Sequence, residues 1–335
     1  MTSPKLRLAL FGSGRIGQVH ARNIADHPDL ELVMIADPFI DGARALVAQT
    51  AGRAVEDPDE VFADSSLDGV IIASPTPTHV DLMSRAAERK LAVLCEKPID
   101  LDIDTVLECR SRLTEHPVPV MLGFNRRFDP HFASVRSQVA AGGIGALEQL
   151  IITSRDPAPA PRDYIAASGG IFRDMTIHDF DMARFFLPNI VEVTAIGTNN
   201  FHDDTKALGD YDGAVTTLRS RDGEVVTIIN SRHCVFGYDQ RLEAFGATGM
   251  LTAGNVTPTT VRRFGIDGTE ELPAILPFFL ERYALAYRAE LDAFAHSIRT
   301  GDAPSPSFDD GVAALVLANA AEESAKTGKT VSVEI

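Results

Sequence analysis

Lys97, Asp174 and His178 are the side chains of this sequence whose types and settings suit proton transfer. Asp174 and His178 lie four residues apart in the stretch Ile171 to Phe186, IFRDMTIHDFDMARFF. A continuous helix would put both on one face, with Asp181 bordering it three residues past His178. Histidine takes a hydroxyl proton near neutral pH, and a carboxylate beside it favours the resulting imidazolium. Asp174 can instead accept from a substrate hydroxyl. A zinc reading has suitable ligand types, but there is no His-x-x-x-His pair and no partner triad, so no metal is expected. Alone, the stretch also reads as a solvated helix with an incidental Asp–His pair. Lys97 follows Glu96 at the end of an apolar run, Leu91 to Cys95. At such a strand end a lysine can orient or polarise a substrate oxygen. It can equally be a surface lysine beside the turn at Pro98.

The N-terminal third supplies the elements that must position these groups. Gly12, Gly14 and Gly17 form G-x-G-x-x-G between a buried strand pattern, Leu6 to Phe11, and a helical pattern, Ile16 to Asp26. Gly12 permits a tight turn, Gly14 lets a pyrophosphate approach the backbone, and Gly17 lets helix and strand pack closely. The helix start then offers N–H groups to phosphate. A second strand, Glu31 to Ala36, ends at Asp37, 20 residues beyond Gly17. A carboxylate there accepts from the adenosine ribose hydroxyls and repels a 2'-phosphate. Pro38 and Phe39 follow it rather than an arginine, so NAD is favoured over NADP.

A third strand, Gly69 to Ala73, runs into Ser74, Pro75, Thr76, Pro77, Thr78 and His79. Ligands of open parallel sheets gather at carboxyl ends of strands, which puts this loop over the cofactor. Thr78 can cap the helix His79 to Glu88, and His79 is either a structural histidine near that cap or a chemical one. A strand over Val118 to Gly123 delivers Phe124, Asn125, Arg126 and Arg127. The first domain, 1–123, closes there, and 124–335 forms a second. In so acidic a chain the paired arginines suit a substrate, phosphate or salt-bridge role better than nucleic acid.

Beyond Ile190 the texture is β. Strands are expected at Ile190 to Thr198, Gly213 to Ser220, Glu224 to Ser231, Gln240 to Gly246 and Thr259 to Phe264, with a hairpin turn at Arg221-Asp222-Gly223. They imply a large, open, mostly antiparallel sheet, one face under helices and the other apolar enough to pair with a second subunit. Tyr283, near the start of a helix running to Ile298, is a candidate for the substrate cavity. A last helix, Asp309 to Lys326, precedes an edge strand, Val331 to Ile335.

The composition narrows the function classes. The chain has 335 residues and a formal charge of -16, and no basic patch breaks the acidity. Nucleic-acid binding and attachment to anionic membranes are poorly supported. No apolar stretch reaches membrane-spanning length, and the N-terminus lacks a signal-peptide pattern. Cys95, Cys109 and Cys234 show neither metal spacing nor a disulfide framework, which fits a reducing cytoplasmic setting.

The motifs together resemble the Gfo/Idh/MocA oxidoreductases over essentially the whole length. FGSGRIGQVHARNI, ASPTPTH, CEKPI and GGIFRDMTIHDFDMARFF carry the broad likeness. GFNRRFDPHF, INSRHCVFGYDQRLEAFG and PFFLERYALAYRAEL point to the inositol-oxidising branch. The resemblance implies an N-terminal Rossmann domain, a C-terminal α+β domain on an open sheet, association through that sheet, often as tetramers, and cofactor and substrate in the cleft between domains. It places cofactor contacts on Gly12, Gly14, Arg15, Ile16, Gly17 and Asp37, and along Ser74, Pro75, Thr76, His79, Glu96 and Lys97. It implies catalysis by Lys97, Asp174 and His178, with Asn125, Arg127 and Tyr283 as further substrate contacts, and NAD-dependent oxidation of a cyclic polyol, foremost myo-inositol to 2-keto-myo-inositol. Oxidation of scyllo-inositol or another sugar, or a non-catalytic NAD-binding regulator, are the alternatives. The branch usually reads NSRRAVYGYDQR where this chain has His233, Cys234 and Phe236. A phenol lost at Phe236 would alter preference among ring alcohols if that residue meets the polyol.

Overall fold

Six short apolar strands build the first unit: β1 (Leu6–Phe11), β2 (Leu30–Ala36), β3 (Arg53–Val55), β4 (Gly69–Ile72), β5 (Ala92–Cys95) and β6 (Val120–Leu122). All pair in parallel, in the order β3-β2-β1-β4-β5-β6. The computed structural model describes residues 4–266 and 268–334. β4 and β5 are buried along their whole length, because a parallel sheet is covered on both faces and its strands need not alternate. The strand order reverses between β1 and β4. Gly12 and Ser74 follow those two strands, at the switch point where α/β sheets bind ligands.

This unit comprises the chain through Asn125 together with Ala286–Val312. The expectation placed everything after Gly123 in a second domain. The returning segment is tied into the first unit by long-range contacts that no local signal announces. His27 Nε2 lies 2.9 Å from Asp292 Oδ1, and the Leu122 amide donates to the Pro306 carbonyl at 3.0 Å. Gly311 packs so closely on Ile99 that a Cβ would stand 2.7 Å from the isoleucine.

The second unit, Arg126–Leu285 with the residues from Ala313 onward, is built on a larger sheet. Its strands are β7 (Leu147–Arg155), β8 (Ile190–Thr198), β9 (Gly213–Ser220), β10 (Val225–Ser231), β11 (Asp239–Gly246) and β12 (Gly249–Ala253). A two-stranded ribbon, β13 (Arg263–Gly265) and β14 (Gly268–Glu271), and an edge strand, β15 (Val331–Ser332), complete the set. The sheet order is β12-β11-β7-β10-β9-β8-β15, and only the β7–β10 pair is parallel. The turn at Arg221-Asp222-Gly223 joins β9 to β10, with Gly223 at φ +105°. The strand expected over Thr259 to Phe264 shrinks to β13, because Pro258 and a bond from the Thr257 hydroxyl to the Thr259 carbonyl hold its first part as a turn. β12, not anticipated, takes the sheet edge instead. Ile335, the end of the expected last strand, lies outside the described residues. Val226, Ile228 and Asn230 of β10 are buried, whereas Ile196, Val215, Phe245 and Met250 of neighbouring strands are exposed. Among the described residues no helix is long and apolar enough to cross a membrane.

Candidate active site

The glycine loop has the shape its sequence demands. Gly12 has φ +96°, and a Cβ there would stand 2.6 Å from the Ala73 carbonyl oxygen. A Cβ on Gly17 would stand 2.1 Å from the Gly12 oxygen, so the helix Arg15–Asp26 can start here only with glycine. Nothing lies within 4 Å of a Cβ built on Gly14, which leaves that backbone open to an approaching group. Asp37, at the end of β2, accepts from the Ser13 amide and from the Ser13 hydroxyl, both at 2.7 Å on Oδ2, and from the Phe39 amide at 2.8 Å on Oδ1. An ionised carboxylate has about four lone-pair sites, so acceptor capacity is left for a ribose hydroxyl. An open glycine backbone, a helix start behind it and an acceptor-only side chain at β2 fit a dinucleotide without a 2'-phosphate.

The loops after β4 and β5 are clipped together. Thr76 to Thr78 form one 3₁₀ turn, in which the Thr78 hydroxyl donates to the Pro75 carbonyl at 2.8 Å and stands 2.6 Å from Ser74 Oγ. Thr78 therefore closes its own turn and makes no cap on the next helix. His79 is buried, with Nδ1 2.8 Å from the Pro98 carbonyl and Nε2 2.8 Å from the Ser74 carbonyl. Both ring nitrogens are thus engaged by main chain. Glu96, also expected on the cofactor, turns its Oε1 to His20 Nε2 at 2.8 Å. Lys97 follows, half-buried, on the stretch this clip holds.

In the second unit the expected single helix over Ile171 to Phe186 is two, Gly170–Asp174 and Ile177–Phe186. The Ile171 carbonyl accepts from both the Met175 and the Thr176 amides, at 3.0 and 2.9 Å, which widens the turn and breaks the register. Asp174 ends the first helix and His178 stands in the first turn of the second, so their placement rests on this junction rather than on a helical repeat. Gly169 and Gly170, at φ +81° and +84°, let the chain enter. Asp210 fixes that entry by accepting from the Ile171 amide at 2.8 Å. Arg232, 1 % exposed, spans Asp210 Oδ2 at 2.9 Å and Asp174 Oδ2 at 3.3 Å. The Tyr164 hydroxyl donates to Asp174 Oδ1 at 2.8 Å; although the ring is half exposed, desolvation at its hydroxyl, then the Asp174 charge, raise its phenol, so it remains a donor. Burial and the same Asp174 charge push the Asp156 carboxyl up to about 6. Arg232, Tyr164 and Asp210 were not singled out from the sequence. Only the double glycine before Ile171 hinted that this entry was special.

The helix bearing His178 is anchored by buried charge. Arg126 Nη1 donates to Asp179 Oδ1 at 2.6 Å and to Ser154 Oγ at 2.7 Å. Asn230 Nδ2 donates to the other Asp179 oxygen at 2.7 Å, and the Thr176 hydroxyl donates to Asn230 Oδ1 at 2.8 Å. Arg127 makes a two-point contact with Asp181, Nε to Oδ2 at 2.9 Å and Nη2 to Oδ1 at 2.6 Å. The Tyr283 hydroxyl donates to Gln240 Oε1 at 3.1 Å, with burial pushing its phenol up to about 12. Arg282 pairs with Asp129 beside it. Arg127 and Tyr283, expected on the substrate, also brace this region, with Arg127 Nε and Nη2 and the Tyr283 hydroxyl bonded to buried protein partners. Asn125 is likewise buried.

A model of the oxidoreductase family with an NAD-binding Rossmann fold, Gfo/Idh/MocA, matches residues 6–124, and that of the Gfo/Idh/MocA C-terminal domain matches residues 132–252. The chain is 43% identical to the inositol 2-dehydrogenase of Rhizobium meliloti over 329 residues, 98% of this chain and 99% of that one. It is 41% identical to the myo-inositol 2-dehydrogenase of Thermotoga maritima over 331 residues, 98% and 99% of the two chains. Among solved structures, a myo-inositol dehydrogenase from Corynebacterium glutamicum superposes with a TM-score of 0.96 at 61% identity, covering 99% of each chain. With a β3-β2-β1-β4-β5-β6 sheet behind its glycine loop and a mostly antiparallel sheet in its second unit, the chain belongs to the Gfo/Idh/MocA family of NAD-binding oxidoreductases.

Proposed function

We propose that this protein oxidises myo-inositol to 2-keto-myo-inositol with NAD. The observation that carries the reading is the setting of Asp174. Tyr164 and Arg232 engage its two oxygens, and His178 follows across the helix junction. An ionised carboxylate so held suits recognition of one hydroxyl of a polyol, while the histidine takes the proton of another. In this reading His178 accepts the carbinol proton. Lys97 is proposed as a donor that stabilises the charge developing on a substrate oxygen. Bound NAD supplies the acceptor for the hydride leaving the carbinol carbon. Asp37 supports preference for NAD, since a 2'-phosphate would meet a carboxylate.

Assembly and location belong to the same reading. The exposed Ile196, Val215, Phe245 and Met250 suit a subunit interface on the outer sheet face, and a tetramer is proposed. The cysteines are free and buried, which suits the reducing cytoplasm.

The test is a panel of myo-inositol, scyllo-inositol, other inositols and glucose with NAD, followed by NADH absorbance. Myo-inositol should give the highest kcat/KM. Calorimetric NAD binding with no turnover on the whole panel would replace the enzyme by a nucleotide-binding regulator.

A further inference from the structure

Three titratable groups that the proposed chemistry does not use lie together in the first unit. His20 comes from the helix Arg15–Asp26, Glu96 from the end of β5, and Glu290 from the helix Ala284–Thr300. Their nitrogen and oxygen ligand atoms all lie within 4.8 Å of one another. His20 Nε2 is 2.8 Å from Glu96 Oε1. The other Glu96 oxygen faces Gly123, where a Cβ would stand 2.8 Å away. His20 and Glu290 have no exposed surface, and the Tyr287 ring meets His20 edge-on with centroids 5.8 Å apart. Neither Glu290 oxygen receives a hydrogen bond from a donor group among the described residues.

Such a group either holds a cation or shares protons. Two atoms ligating a zinc-sized ion through bonds of about 2.1 Å stand roughly 3.4 Å apart. The His20–Glu96 contact, at 2.8 Å, is shorter and has the length of an N–H donor on a carboxylate. The titratable groups about Glu290 are Glu96 from β5, His20 from the first helix and Tyr287 one turn earlier on its own helix. Of these, His20 is turned to Glu96. Burial, then the Glu96 charge, push the Glu290 carboxyl well above its usual range. Two carboxyl groups this close do not both ionise readily.

We propose that Glu290 is carried as a neutral carboxylic acid whose proton is shared with Glu96, so that Glu290 and His20 hold the Glu96 carboxylate from two sides and fix the strand end that carries Lys97. Glu290 is a positioning residue, and its effect on turnover rests on the proposed role of Lys97. The sharing of the proton does not rest on it.

Infrared difference spectra of the full-length protein, wild type minus Glu290→Gln at pH 8, should show a protonated-carboxyl C=O band. Glu290→Gln, neutral and still a donor, should keep kcat within about twofold, whereas Glu290→Leu should lower it about 10-fold to 100-fold with NAD affinity retained. Only carboxylate bands, equal losses in the two variants, or wild-type turnover in Glu290→Leu would each overturn the proposal. So would one equivalent of divalent metal, by mass spectrometry, that Glu290→Gln removes. If no polyol is oxidised, the infrared band still decides where the proton lies, and only the link to Lys97 falls.

Discussion

Arg126 Nη1 lies 2.6 Å from Asp179 Oδ1, inside the second unit, one residue along the helix from His178. Both side chains are sealed from solvent, so each charge depends on the other. Removing one partner of such a pair leaves a buried uncompensated charge and costs about 3–5 kcal/mol, although the intact pair adds little net stability. Arg126→Met should lose that much in urea unfolding and lower turnover by loosening the His178 helix. The double variant Arg126→Met/Asp179→Leu should recover part of the stability. Additive losses would show that the two are not coupled.

Lys97→Ala and His178→Ala should each lower kcat by about 10²–10⁴-fold, the usual consequence of removing a general acid, base or developing-charge partner. NAD affinity, measured by calorimetry, should stay within a few-fold of wild type. Near-wild-type turnover in either variant would remove that residue from the mechanism.

Asp37 holds the glycine loop through Ser13, besides its proposed place at the cofactor ribose. Asp37→Ala should raise the KM for NAD and move the NADP/NAD ratio of kcat/KM toward NADP. Ser13→Ala keeps the amide bond and should do less. An unchanged cofactor ratio in Asp37→Ala would contradict the assignment.

Asp156 carries a stability signature. Its carboxyl is pushed up to about 6 in the folded chain, by burial first and the Asp174 charge second. The folded state therefore binds the proton more tightly than the unfolded state does. That contribution is complete below the unfolded value near 3.9 and is lost as pH rises through about 6. Asp156→Asn should raise the melting temperature by a few degrees more at pH 8 than at pH 4. An equal change at both pH values would show that Asp156 does not titrate in this way.

What could be read from the sequence was local. Gly12, Gly14, Gly17 and Asp37 lie within one strand–turn–helix–strand run, so their spacing alone specifies the turn, the close packing and the acceptor at β2. The Asp-Gly hairpin at Asp222 is local in the same sense. The protein partners of Arg127 and Tyr283 could not be read ahead, because residue type tells what a side chain can bond, not which partner reaches it. Asp181 and Gln240 reach them only after folding. The helix through Asp174 and His178 looked continuous because both halves are apolar and no proline separates them. The break follows from the bifurcated Ile171 carbonyl and from Asp210, 39 residues away.

By itself, then, the sequence determined the parallel sheet with its dinucleotide loop, and the residue types available for proton transfer. These follow from short-range sterics and from the apolar pattern along each strand. Only the tertiary structure decided which charges are neutralised, and by which partners. Arg232 meets Asp174, Arg126 meets Asp179 and Glu290 faces Glu96 because burial removes water as the alternative partner. Which partner replaces it depends on how distant elements pack.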